Sequence, residues 1–331
     1  MLYCRWVVFI RNCTLYYDLF IFNMVKWLIS IKEWDQGVSP LIKEVIFMKI
    51  GFIGAGKAGF TLGKYFCKHN LNVIGYYSKN FNSTIQVAEF TNTKCFKDLK
   101  SIVEESDTLF LTVPDGTIKE VWDCIRKLPI KNKIICHCSG SLSSAVFSNI
   151  DIHQCYGYSI HPLFAISDKL NSYKEISGAF FTLEGSEERL TEMQLFLEKL
   201  GNPVQVISSV NKPIYHSAAV FASNFVVALM QTGIDLLISC GFDEQGAAKA
   251  LNPLLIGNVQ NIIKQGTTFS LTGPIERSDM GTIEGHLQSM PENEKELYIL
   301  LSKKLIEIAS KKNPERNYEL LKNQLKKWGK Q

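Results

Sequence analysis

The chain has 331 residues, of which 46% are hydrophobic and 21% charged, and a formal net charge of +4. That composition describes an ordinary soluble globular protein with material for two domains and a buried core. The small net charge excludes a basic nucleic-acid arm: Lys311-Lys312 and Lys326-Lys327 fall in a late mixed-charge helical stretch and read as a solvated face.

Residues 1–47 are set apart by dense large aromatics, among them Trp6, Tyr16, Tyr17, Trp27 and Trp34. Their longest apolar run, Leu19 to Ile31, is broken by Asn23, Lys26 and Ser30, and falls short of the roughly 20 residues of a membrane span. Met48 opens a first strand, so the expectation is that the working protein begins there and that 1–47 is an N-terminal extension from a mis-assigned start. No membrane association is expected.

Lys49 to Ile53 is a short apolar strand, and Gly54-Ala55-Gly56-Lys57-Ala58-Gly59 follows it directly. A helix continues from Phe60 to His69, and Val73 to Tyr77 is the next strand. This is the opening of a Rossmann βαβ unit. Gly54 permits the tight turn, Gly56 lets a pyrophosphate approach the backbone, and Gly59 lets the helix pack against the strand. The helix N-terminus offers free N–H groups to phosphate. After the second strand comes Tyr77-Ser78-Lys79-Asn80, where a carboxylate would bind the ribose hydroxyls of NAD. Ser78 and Lys79 suit the 2′-phosphate of NADP(H) instead.

Asp107 to Val113 reads as a buried strand ending in Pro114-Asp115-Gly116, Ile118 to Ile125 as a helix, and Lys133 to His137 as another strand. Ligands of such sheets lie beyond the carboxyl ends of the strands. Val113, Pro114 and Asp115 are therefore expected beside the cofactor, and Ser139, Gly140 and Ser141 near the nicotinamide. Cys136-His137-Cys138 is not expected to hold a metal, because neighbours on a strand point to opposite faces. Nine cysteines, an odd number without a C-x-x-C pair, suit reduced thiols in a cytoplasmic protein. Tyr156 to Ile160 and Ala179 to Leu183 are further extended segments, with His161-Pro162-Leu163 closing the first. Glu187 to Leu200 reads as a helix and Val204 to Ile207 as a strand.

From residue 211 the pattern is helical: Ile214 to Cys240, Phe242 to Gly257, Val259 to Gly266 and Glu292 to Trp328. The expected fold is thus a Rossmann domain over 48–210 and an all-α domain over 211–331 for substrate binding and dimerisation. Lys212 and His216 stand four apart on one helical face; Ser223, seven beyond His216, returns near it, with Asn224 beside it. Polar groups among Ala218-Ala219-Val220-Phe221 need a purpose or a partner. Lys212, His216 and Asn224 are the catalytic candidates, and His161, Ser223 and Thr272 join the serines as substrate candidates. The loop Leu271 to Asp279 carries Thr272, Arg277 and Asp279, which could close over a ligand. His286 comes after it.

These segments together resemble the Rossmann-like proteins with a DUF2520-type helical C-terminal domain. The likeness rests on Gly54 to Gly59, Val113-Pro114-Asp115, His137-Cys138-Ser139-Gly140, His161-Pro162-Leu163, Tyr215 to Ala219, Ser223-Asn224 and Leu271 to Pro274, across residues 48–290. More distantly the chain is similar to the superfamily of 6-phosphogluconate dehydrogenase, ketopantoate reductase and pyrroline-5-carboxylate reductase. The resemblance implies an NADP-dependent oxidoreductase. Its most specific form is a non-classical ketopantoate reductase of pantothenate synthesis, reducing a 2-oxo acid to a 2-hydroxy acid. Classical relatives carry K-x-x-x-N on the first helix of the second domain, where this chain has Lys212 and His216. On this reading Lys212 or His216 donates the proton, Ser139, Gly140 and Ser141 hold the substrate carboxylate, and Asn224 orients the hydroxyl. Imine reduction and a non-catalytic dinucleotide sensor are the competing expectations. The long apolar helices suggest a homodimer.

Overall fold

The computed structural model describes residues 48–329. Strand and helix alternate from the start: β1 (Ile50–Ile53), α1 (Lys57–Lys68), β2 (Val73–Tyr77), α2 (Phe81–Thr91), β3 (Lys94–Cys95), α3 (Leu99–Glu105), β4 (Thr108–Leu111), α4 (Asp115–Ile125) and β5 (Ile134–His137). Then come β6 (Tyr156–Pro162), β7 (Phe181–Gly185), α5 (Leu190–Glu198) and β8 (Val204–Val206). The strands form one sheet in the order β3-β2-β1-β4-β5-β6-β7-β8. β1 to β6 run parallel, and β7 turns antiparallel against β6. The reversal of strand order between β1 and β4 opens the crevice in which doubly wound sheets bind ligands.

Both faces of the sheet are covered, which is why β1, β4 and β5 are apolar runs without alternation. One face packs Phe52 and Phe110 against Phe66 of α1 and Phe196 of α5, with rings 5.3 to 6.3 Å apart. The other packs Leu109, Leu111 and Ile135 against Ile102 of α3 and Trp122 of α4. Cys136 belongs to the first face, whereas the His137 ring lies 5.3 Å from Phe147 of the second.

The chain divides into two compact units between Val220 and Phe221. This carries the boundary beyond the expected 210/211, because α6 (Lys212–Ala222) begins on a lysine whose side chain bonds into the sheet's carboxyl edge. The second unit contains α7 (Asn224–Ser239), α8 (Glu244–Ser270), α9 (Pro274–Arg277), α10 (Met280–Ser289), α11 (Glu292–Lys312) and α12 (Glu319–Trp328). Its core is built by Ile275, Ile283, Leu287, Ile299, Ile306, Leu321 and Leu325.

Several expectations change here. The single helix from Ile214 to Cys240 is interrupted at Ser223, whose φ of −127° and ψ of −79° are not helical. The inference that Ser223 shares a face with His216 requires an unbroken helix and does not hold. No helix ends at Gly257: α8 runs through it and through Pro253, and its backbone departs from helix only at Gly266, with φ 77°. The loop expected over Leu271 to Asp279 contains α9. Asp279 caps α10 by accepting from the Thr282 amide and hydroxyl, so its carboxylate is engaged in starting that helix and not in closing over a ligand. His286 bonds Tyr298. Among the described residues one stretch, Ser209–Ser239, is long and apolar enough to cross a membrane by length and composition; it contains the break at Ser223. The expectations for residues 1–47 lie outside the described residues.

Candidate active site

Two adjoining features lie at the carboxyl edge of the sheet in the first unit. The first is a cavity of about 490 Å³ lined by Gly54, Ala55 and Gly56 after β1, Ser78, Lys79 and Asn80 after β2, and Val113 and Pro114 after β4. Gly54 has φ +120°, and a Cβ on it would stand 2.5 Å from the Thr112 carbonyl oxygen, so only glycine makes this turn. Thr112 in return donates its hydroxyl to the Gly54 carbonyl at 2.9 Å. A Cβ on Gly59 would meet the Gly54 carbonyl oxygen at 2.4 Å, which is the close helix–strand approach expected of it. The N-cap of α1 is Gly56, with no side chain bonded to the first turn. The amides of Lys57 and Ala58 are thus left to a ligand, and the positive end of the helix dipole favours an anion.

At the far end of the cavity the polar groups remain able to donate. Asn80 Oδ1 caps α2 by accepting from the Ser83 amide, leaving its NH₂ free in type. Ser78 Oγ accepts from the Asn80 amide and keeps its own proton. Lys79 is exposed. The shape, the uncapped helix and these donors fit a dinucleotide carrying a 2′-phosphate. Lys79→Ala is therefore expected to weaken NADPH binding about tenfold and to leave NADH binding within about twofold; fluorescence titration with each cofactor checks it.

Asp115, expected at this cavity, does not line it. It stands in the first turn of α4 and accepts the hydroxyls of Ser139 at 2.7 Å and Ser141 at 3.0 Å. Both serine protons are thereby committed, so the expected donation of these hydroxyls to a substrate carboxylate is replaced by a fixed loop. The reason is tertiary: α4 brings its first turn against the loop after β5.

That loop is the second feature. His137, fully buried, accepts from the Ser139 amide at Nδ1 and therefore donates from Nε2 to the Ser143 carbonyl at 3.2 Å. Burial, the main cause, lowers its pKa to about 4, which leaves the ring neutral. Lys212, 1% exposed, donates from Nζ to the Ser139 carbonyl at 2.9 Å and to Ser159 Oγ at 2.8 Å. Burial pulls its pKa down to about 8, against the opposing charges of Glu184, Cys138 (when ionised) and Asp115. Glu184 on β7 pairs with Ser159 across the sheet and accepts from the Ser144 amide and hydroxyl.

His161, near the end of β6, lies 2.7 Å from the Tyr215 hydroxyl through Nδ1. Burial and then Lys212 and His216 hold its pKa at about 4. The His161 and His216 rings are 6.4 Å apart, edge to face, and both approach the place where a Cβ on Gly140 would stand. Lys212, His216, His161, Ser139, Gly140 and Ser141 are thus brought together. Ser223, Asn224 and Thr272 belong to the second unit; Asn224 Oδ1 accepts from the Ser223 hydroxyl, and both they and Thr272 are exposed.

Sequence reasoning missed Ser159, Tyr215 and Glu184. Ser159 sits two residues before His161 on a strand, and period-2 alternation puts the two on one face. Tyr215 stands one turn after Lys212. Glu184 is a carboxylate at the edge of an apolar run, with no local signal for its partner.

Residues 179–305 match the family described as a domain of unknown function, DUF2520, and residues 49–139 match the family described as NADP oxidoreductase coenzyme F420-dependent. Protein TM1727 from Thermotoga maritima is 30% identical, with a TM-score of 0.62; the alignment covers 79% of this chain and 98% of that one. BF3122 from Bacteroides fragilis, provisionally named an NADP oxidoreductase, is 21% identical with a TM-score of 0.63, covering 80% and 99%. The pyrroline carboxylate reductase of Plasmodium falciparum, with NADP bound, is 13% identical with a TM-score of 0.54, covering 86% and 99%. The last two likenesses bear on the fold alone. No curated protein sequence matches the chain.

Proposed function

The chain belongs to the NADP oxidoreductase-like Rossmann proteins that carry a DUF2520 domain, and we propose from this that it is an NADPH-dependent reductase of a small 2-oxo acid, with ketopantoate as substrate and pantoate as product. The observation that carries the reading is the Lys212 ammonium, buried at the carboxyl edge of the sheet and brought down to about 8, beside the imidazoles of His161 and His216. A proton donor tuned toward neutral pH is what reduction of a ketone needs.

When bound, NADPH supplies the hydride. Gly54, Ala55 and Gly56 with the first turn of α1 hold its phosphates, and Ser78 and Lys79 its 2′-phosphate. Lys212 or His216 delivers the proton to the carbonyl oxygen as charge develops there. The loop Ser139 to Ser141, fixed by Asp115, His137 and Lys212, offers the Gly140 amide rather than hydroxyl groups to the substrate.

One observation favours a second reading. The exposed Asp115 carboxylate beside this loop would attract a cation, and a protonated imine is one. NADPH oxidation across a panel of 2-oxo acids and cyclic imines separates the two. Turnover with ketopantoate supports the first reading, turnover with imines alone replaces it with the second, and none with either leaves a dinucleotide sensor.

We propose further that the protein works in the cytoplasm as a homodimer. α7 buries none of its residues and α8 only Ala247, while Val227, Leu254 and Ile263 are 71%, 63% and 80% exposed. An apolar surface of that extent is an association surface, and a second copy presents the same helices to it. Light scattering is expected to give twice the chain mass at micromolar concentration; a monomer mass would refute the dimer.

A further inference from the structure

Two imidazoles approach the open side of Gly140. A Cβ on it would stand 2.7 Å from His216 Nδ1 and 3.0 Å from His161 Nε2, so both ring nitrogens face the space that glycine leaves open. His216 Nδ1 is buried and has no hydrogen-bond partner. Among the described residues the Gly140 amide has no acceptor either. Polar atoms left bare in one buried place call for a ligand atom that satisfies them.

The other nitrogen of His161 decides what this place presents. Nδ1 lies 2.7 Å from the Tyr215 hydroxyl, and the two rings meet edge to face with centroids 5.7 Å apart. A phenol is the stronger acid of this pair and a neutral imidazole nitrogen the stronger base. Donation from Tyr215 to Nδ1 puts the ring's own proton on Nε2. Burial keeps the phenol protonated and the imidazole uncharged.

We propose that Tyr215 is a positioning residue that fixes His161 as the Nε2–H tautomer, and that His161 donates from Nε2 to the carbonyl oxygen of the substrate beside Gly140. The proposal rests on the 2-oxo acid reading. His161 keeps its proton throughout; it stabilises the charge growing on oxygen, while the proton itself comes from Lys212 or His216. A donor already oriented needs no reorganisation when that charge appears.

The test has one arm that needs no substrate. Nitrogen-15 NMR of the resting protein should show His161 protonated at Nε2 alone, and Tyr215→Phe should mix the two tautomers. In turnover of a 2-oxo acid, Tyr215→Phe should lower kcat about tenfold with KM and NADPH affinity unchanged. His161→Gln, whose amide N–H can stand near Nε2, should keep more activity than His161→Ala, which should lose about 100-fold. Adding Tyr215→Phe to His161→Gln should cost nothing more. A wild-type His161 protonated at Nδ1, or a Tyr215→Phe enzyme with kcat within twofold of wild type, overturns the proposal. A wild type that reduces no 2-oxo acid but shows the Nε2–H signal refutes the proposed substrate instead, and leaves the tautomer assignment standing.

Discussion

Gly140→Ala is expected to cost at least about 100-fold in turnover while NADPH binds within about twofold of wild type. The added methyl would stand 2.7 Å from His216 Nδ1 and 3.0 Å from His161 Nε2, closer than nonbonded atoms tolerate. Of the two neighbours His216 is the one that gives way, because its Nδ1 has no hydrogen-bond partner. His161 is held by Tyr215, and the loop bearing Gly140 is fixed by Asp115, His137 and Lys212 at five hydrogen bonds of 2.7 to 3.2 Å. The strain therefore appears as displacement of the His216 imidazole, and a shift of about 1 Å in a reacting constellation is enough to lose two orders of magnitude. The cofactor cavity is lined from Gly54 to Gly56, Ser78 to Asn80 and Val113-Pro114, without Gly140. Parallel measurement of kcat and NADPH affinity checks the separation. Unchanged turnover would mean that the chemistry happens away from these histidines.

Local pattern makes the cofactor half legible. The strand, glycine loop, helix and second strand from Ile50 to Tyr77 each carry a short-range signal, and β2 lies where expected, at Val73–Tyr77. The stretch after β2 carries no such signal: α2, α3 and the two-residue β3 are mixed in composition, and Lys94-Cys95 forms a strand only because β2 offers it an edge. In the helical half the punctuation misleads. Gly257 and Pro253 lie inside α8, whereas Ser223, neither glycine nor proline, interrupts the helical run. The grouping of Lys212 with His216 comes from helical spacing. The grouping of Asp115 with Ser139 and Ser141, or of Lys212 with Ser159, comes from sheet order and crossover geometry, which adjacent residues do not encode.

Lys212→Met is expected to lower turnover about 10²- to 10⁴-fold, the usual worth of a general acid, and to lower stability at pH 7 by about 1–3 kcal/mol, because the Ser139 carbonyl and the Ser159 hydroxyl lose their buried donor. The pH dependence separates the two roles. The lysine is brought down from 10.5 to about 8 by burial. Below about pH 8 the folded and unfolded chains both hold its proton, so it adds no slope. Between about 8 and 10.5 the unfolded chain holds a proton that the folded one has released, and stability rises with pH. The wild type should therefore gain on Lys212→Met across that window, as denaturation at pH 7, 8.5 and 10 would show. Turnover runs the other way. If the ammonium gives the proton to substrate, kcat falls as pH rises through about 8, and Lys212→Arg, charged at every accessible pH, loses that limb along with most of the rate. A kcat profile flat from pH 7 to 9 would remove Lys212 as the donor. His216 would then be the proton source, and Lys212 would serve only to hold the loop that carries Gly140.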